Sequence, residues 1–256
     1  GTTTNDHTGT IAIGHQALTA LTSAASNTAI GYKALTTLTT GGENTAVGHL
    51  AGEFILDALN NVLMGHKAGQ YLGSHLADDN TFMGYRAGAN GETDVPNDNT
   101  ATDNVSIGSM SMGNNQGTDD TDAFTSSNCV AVGKSALGVL NTGAYNVAVG
   151  SGAGAANTTS SENTFLGFNA GNTATTGSSN VCIGSESDVS ASGGTGQIAI
   201  GKSVACTGDN IITVGISANT ASLGLDGSDT SWAAASSDER LKENIESSSA
   251  GLDVIN

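Results

Sequence analysis

Large side chains and positive charge are both scarce in this 256-residue sequence. Aromatic residues make up 4% of it and charged residues 12%, with seven Lys and Arg against 24 Asp and Glu. Ordinary soluble domains carry roughly 25% charged residues. A core of the usual bulky apolar side chains is therefore excluded, and backbone hydrogen bonds with stacked small residues must carry the stability. The net charge of −17 argues against nucleic acid as a partner, because that contact needs basic patches. It suits a soluble, non-sticking external filament. Proline occurs once, as Pro96. No signal peptide is visible and no apolar run is long enough to span a membrane, so membrane insertion is not expected. Residue 1 is Gly rather than Met, so an upstream leader or shaft is expected. The three cysteines, Cys129, Cys182 and Cys206, lack metal-ligand spacing and read as small buried residues. Neither a metal nor a cofactor is expected.

What is abundant is glycine, 36 residues of it, and much of it is periodic. A phrase of Asn, small or β-branched residues, an apolar residue and Gly returns twelve times, closing at Gly14, Gly31, Gly48, Gly65, Gly84, Gly108, Gly133, Gly150, Gly167, Gly184, Gly201 and Gly215. Most gaps are 17 residues or within two of it. A fixed period of this size means that each repeat buries its apolar side only by stacking on its neighbours. The unit is too short, and too rich in Gly, Asn, Thr and Ser, to hold a helix plus a strand. The expected fold is all-β: a β-solenoid (β-roll) of about 17 residues per coil and twelve coils. One short strand should end at each Gly, with a second after it.

The residues one and three before each Gly share a face under period-two alternation and are mostly β-branched, as in Val147 and Val149. The residue between them, as in Ala46 and Ala148, lies on the other face and is also mostly apolar. One face is the inside of the coil, and the other must meet another copy of the chain. The small Ala residues are expected at a shared axis, which predicts a parallel homotrimer. Asn four residues before the Gly is expected to form a stacked hydrogen-bonded ladder, and the Gly to supply a turn conformation.

Several signals resemble chemistry. Gly196–Ser203 matches the P-loop pattern letter for letter, but Ile-Ala-Ile stands where a flexible cradle is needed and no helix follows. His15, His49 and His66 follow closing glycines with Tyr32 in the same column, yet the column continues as Ser, Lys and Phe, so no metal array is expected. Asn157-Thr158-Thr159 fits a glycosylation sequon. Two long repeats insert residues 89–103 and 113–127 between neighbouring coils. They gather Glu92, Asp94, Asp98, Asp103, Asp119, Asp120 and Asp122 as receptor-binding candidates. Insertions on one side of a solenoid are often where binding occurs. Their carboxylates are also a candidate Ca²⁺ cluster, although the spacing matches no EF-hand loop.

After the repeats the composition shifts at Ser237-Asp238-Glu239-Arg240-Leu241-Lys242-Glu243-Asn244-Ile245. This segment resembles the opening of the intramolecular chaperone domains of phage tail fibres and tailspikes, of the endosialidase type. That resemblance implies three parts: a solenoid over 1–215, a connection over 216–236 and the start of a truncated chaperone domain over 237–256. It implies self-cleavage of a precursor between Ser236 and Ser237, with Ser237 as nucleophile and Lys242 as its base. The repeats themselves resemble the head repeats of trimeric autotransporter adhesins, which are trimeric left-handed β-rolls. Together these imply an adhesive, non-enzymatic homotrimer in the tail fibre of an extracellular virion. It would contact a host cell-surface receptor, a glycan among the candidates, and other virion tail proteins. The alternative is a trimeric adhesin head on a bacterial surface. A polysaccharide depolymerase is disfavoured, because the chain shows no recognisable acid pair and few aromatics for a groove.

Overall fold

A computed structural model describes residues 8–73, 77–89, 100–113, 124–225 and 227, and the backbone of Ala233–Ala234. Eleven three-residue strands recur along it: β1 (Ile11–Ile13), β2 (Thr28–Ile30), β3 (Thr45–Val47), β4 (Val62–Met64), β5 (Thr81–Met83), β6 (Val105–Ile107), β7 (Val130–Val132), β8 (Val147–Val149), β9 (Thr164–Leu166), β10 (Val181–Ile183) and β11 (Ile198–Ile200). Each pairs in parallel with the next, and equivalent residues lie opposite one another, as Ala29 opposite Ala46 and Val147 opposite Thr164. The molecule is a parallel β-solenoid, one coil per repeat, with no helix among the described residues. Each coil has a single regular strand; where a second was expected after the Gly, the chain runs in turns.

The reason is backbone conformation. Three positions per coil adopt the left-handed region whatever residue occupies them: five before the closing Gly, two after it and, through most coils, four after it. Glu43, Lys33 and Leu35 are examples, with φ of 61°, 54° and 50°. Left-handed backbone costs a non-Gly residue on the order of 1–2 kcal/mol and cannot propagate a strand. The closing glycines from Gly14 to Gly201 hold φ between 125° and 147°. A Cβ on any of them would run into the carbonyl of the glycine one coil further on, so only Gly fits.

The twelfth repeat starts as a coil and ends otherwise. β12 (Ile211–Ile216) pairs in parallel with β11, runs on through Gly215 and turns back as β13 (Asn219–Gly224), antiparallel, with β14 (Ala233–Ala234) beyond it. The antiparallel pair covers the hydrogen-bonding edge that a thirteenth coil would otherwise occupy. The expected connection over 216–236 therefore contains strand structure.

The middle residue of each strand points into the coil. From Ala29 to Thr213 this column is fully buried, whether it carries Ala, Leu, Phe, Ser or Cys. This reverses the assignment of faces made from the sequence: Ala46 and Ala148 line the interior, not a shared axis. In several coils the interior is filled by exchange of volume between the middle strand residue and the residue four after the Gly; where both are small, as at Ala46 with Gly52 and Ala148 with Gly154, large side chains of the adjacent coils reach into the space. Ala29 is matched with Leu35 and Ala131 with Leu137, while Leu63, Phe82 and Phe165 are matched with Gly69, Gly88 and Gly171. A Cβ on Gly88 would enter the Phe82 ring, and one on Gly171 the Phe165 ring. Close packing of this kind tolerates one large residue per pair, not two.

Candidate functional site

The Asn column forms the expected ladder. In coil after coil the Asn side-chain oxygen accepts from the backbone N–H of its successor, as Asn27 Oδ1 from Asn44 N at 3.0 Å and Asn146 Oδ1 from Asn163 N at 3.0 Å. The side-chain amide then crosses the coil to a carbonyl on the far wall. Asn27 donates to Gly41 O at 2.9 Å and Asn44 to Ala58 O at 2.7 Å. Each Asn is fully buried and braces its coil internally. Among the sequence signals this one is structural and not a binding site.

The acidic candidates divide. Glu92, Asp94, Asp98, Asp119, Asp120 and Asp122 lie outside the described residues, as do Ser237 and Lys242. Asp103 is described and belongs to no insertion: it is an exposed corner residue with φ 58°, and its N–H donates to Asp78 O at 3.2 Å. The insertions leave and rejoin the coils at matching points. Gly113 sits against Ala89, and Thr100 N donates to Phe124 O at 3.2 Å. Phe124 and Ser126 are buried, so the segment expected to lie outside the stack, 113–127, includes part of the interior. Residues 114–123 lie outside the described residues.

The remaining signals resolve against chemistry. The P-loop-like stretch is a corner at Gly196 followed by β11, in register with its neighbours. Asn157 of the sequon is fully buried, with Oδ1 accepting from Ser160 N at 3.3 Å, which denies it to a modifying enzyme in the folded chain. Burial pushes the Cys182 thiol up to about 12 and raises those of Cys129 and Cys206, so these sulfurs are inert. Among the described residues no three His, Cys, Asp or Glu side chains are grouped to hold a metal, and no helix is long and apolar enough to cross a membrane.

Two surface features are left. The first is the outward strand face. The residues one and three before each closing Gly form two columns without a single charge, and several are well exposed: Ile13 at 58%, Leu166 at 46% and Ile107 at 39%. The second is the edge just after the Gly, where the sequence showed no maintained column. There His15, Tyr32, His49, His66 and Tyr85 form one continuous stack, with ring centroids 5.6, 5.0, 5.0 and 5.4 Å apart and planes within 21° of parallel. All the described Lys and Arg, namely Lys33, Lys67, Arg86, Lys134 and Lys202, stand on this edge, one or two residues after a closing Gly. Lys33 Nζ lies 5.8 Å from the centre of the Tyr32 ring and 3.1 Å from the buried carboxylate of Glu53. Partial burial lowers the His66 pKa, assisted by His49, Lys67 and Arg86. The opposite edge, five or six residues before the Gly, carries Glu43, Asp78, Asp79, Asp103, Glu162 and Asp209 and no cation. No family model, curated protein or solved structure matches this chain.

Proposed function

We propose that the chain is a structural and adhesive rod that mediates host-cell attachment, as the distal part of a phage tail fibre or similar virion appendage. The observation that carries this reading is the outward strand face, two charge-free columns of mostly apolar residues, with Thr28, Thr45, Thr81 and Thr164 among them, running the length of the solenoid in a chain of net charge −17. Apolar surface this extensive calls for a cover. The same columns on two further copies provide one, giving a parallel homotrimer on the order of 55 Å long at about 4.8 Å per strand. The rod would join other virion tail proteins at one end and meet a cell-surface receptor along its sides or loops. The repeat pattern also favours a bacterial trimeric adhesin head, and virion genes beside this one would decide between them.

The test is mass in solution together with adsorption. A monomer at micromolar concentration removes the trimeric rod. Replacing residues 114–123 by a short Gly/Ser link should leave the rod folded while reducing adsorption to host cells; full adsorption moves the receptor contact elsewhere. In a precursor carrying a complete chaperone domain, Ser237 Oγ would attack the Ser236 carbonyl carbon while Lys242 takes the hydroxyl proton; the peptide C–N bond breaks as that proton passes to the Ser237 amine, and water then hydrolyses the ester to free the Ser236 carboxylate. Such a precursor should yield two fragments, and Ser237→Ala one.

A further inference from the structure

We propose that the stacked aromatic edge of the first five coils is a binding site for a carboxylated polysaccharide laid along the solenoid axis. The inference rests on the attachment reading and adds a second receptor contact to the one expected at the acidic insertions. His15, Tyr32, His49, His66 and Tyr85 repeat every 5.0–5.6 Å. Their faces cover one another, so what remains for a ligand is a row of ring edges: phenol hydroxyls and imidazole nitrogens. Tyr32 and Tyr85 are 42% and 47% exposed. Such a row donates and accepts hydrogen bonds at a regular interval, which suits an extended polymer rich in hydroxyls.

Lys67 and Arg86 flank the rings on the edge that holds every described Lys and Arg, so a ligand's acidic groups meet positive charge beside the rings. Single-stranded nucleic acid fits poorly. Its bases need open ring faces to stack on, which this column does not offer. A carboxylated sugar polymer needs only hydrogen-bonding partners at a regular interval with cations beside them.

The experiment measures binding of the purified chain to oligogalacturonate. Its fully methyl-esterified form serves as the uncharged counterpart, and polyphosphate as a phosphate-bearing one. Oligogalacturonate should bind and the ester should not. Lys67→Ala/Arg86→Ala should lower the affinity at least tenfold, and His49→Ala should weaken it, with unchanged thermal melting in both. Lys67→Arg and Glu162→Gln, the latter on the opposite edge, should bind as the wild type does. Absence of oligogalacturonate binding, binding that survives the double substitution, or binding of polyphosphate alone would overturn the inference. So would a smaller mass for the double variant in light scattering, since the edge would then be holding another copy of the chain. Host adsorption is scored alongside. Adsorption by a wild-type rod that ignores the acidic probes removes this site and leaves the attachment reading standing, whereas no adsorption removes that reading itself.

Discussion

At Cys129 the asparagine ladder passes through a sulfur. The thiol keeps the partners an Asn would have, donating towards Ser127 O at 3.4 Å and Gly143 O at 3.6 Å, but its sulfur accepts from Asn146 N at 3.4 Å where neighbouring rungs measure 3.0 Å. Cys129→Asn should complete the ladder and stabilise the chain by about 1 kcal/mol, the net worth of one good buried hydrogen bond. A lower unfolding midpoint in urea would show that the site is shaped for sulfur. At His66 the lowered pKa gives a pH dependence of definite sign. Above the ordinary value, folded and unfolded chains are both neutral at this residue. As pH falls from there towards the folded pKa, the unfolded chain binds the proton first, so acidification removes stability; below the folded pKa the loss is constant. Lys67→Met removes one cationic cause, so the imidazole titration followed by NMR should move upward.

Within one coil, the pairing of large with small residues across the interior makes a test of the packing. Phe82→Ala should cost about 3–5 kcal/mol through the cavity it leaves. Adding Gly88→Leu should recover at least half of that, because Leu35 and Leu137 already hold the equivalent left-handed position opposite Ala. Gly88→Leu alone should be severely disruptive, since the Phe82 ring occupies the space. If the double variant is no more stable than Phe82→Ala, the two positions do not share volume. The faces of a strand can be separated in the same way. Ala148→Glu buries an unpaired carboxylate and should prevent folding, at a cost of several kcal/mol. Ile107→Glu lies outside and should leave the far-UV circular dichroism intact while abolishing association. Association by Ile107→Glu equal to wild type would remove the strand face as the interface.

For the molecule as a whole, nearest-neighbour stacking makes stability a sum over coils. Deleting residues 151–167 removes one whole period and joins Gly150 to Phe168 in register. The product should fold, shortened by about 4.8 Å, and lose only one coil's share of the unfolding free energy. Deleting 151–166 instead shifts every later residue by one position, exchanging the inward and outward columns, and should not fold. Equal stability for the two deletions would mean that register is not what holds the rod together.

Period, strand position and the need for Asn and Gly in fixed columns were legible because each repeats with the coil. A requirement imposed by stacking identical units must reappear in every unit, as it does at Asn44, Asn61 and Asn80 or at Gly48, Gly65 and Gly84. Which strand face is interior was not legible from one column alone, since both faces are apolar and a coil this narrow admits a single inward residue per strand. The signal lay between columns, in the alternation of Phe82 with Gly88 against Ala131 with Leu137, and it becomes visible only once the tertiary structure shows that the two positions share one space. The aromatic edge escaped notice for a related reason: its residues vary in type from His to Tyr. Only stacking at the strand spacing, set by the parallel hydrogen bonds of the whole sheet, turns five dissimilar rings into one continuous surface.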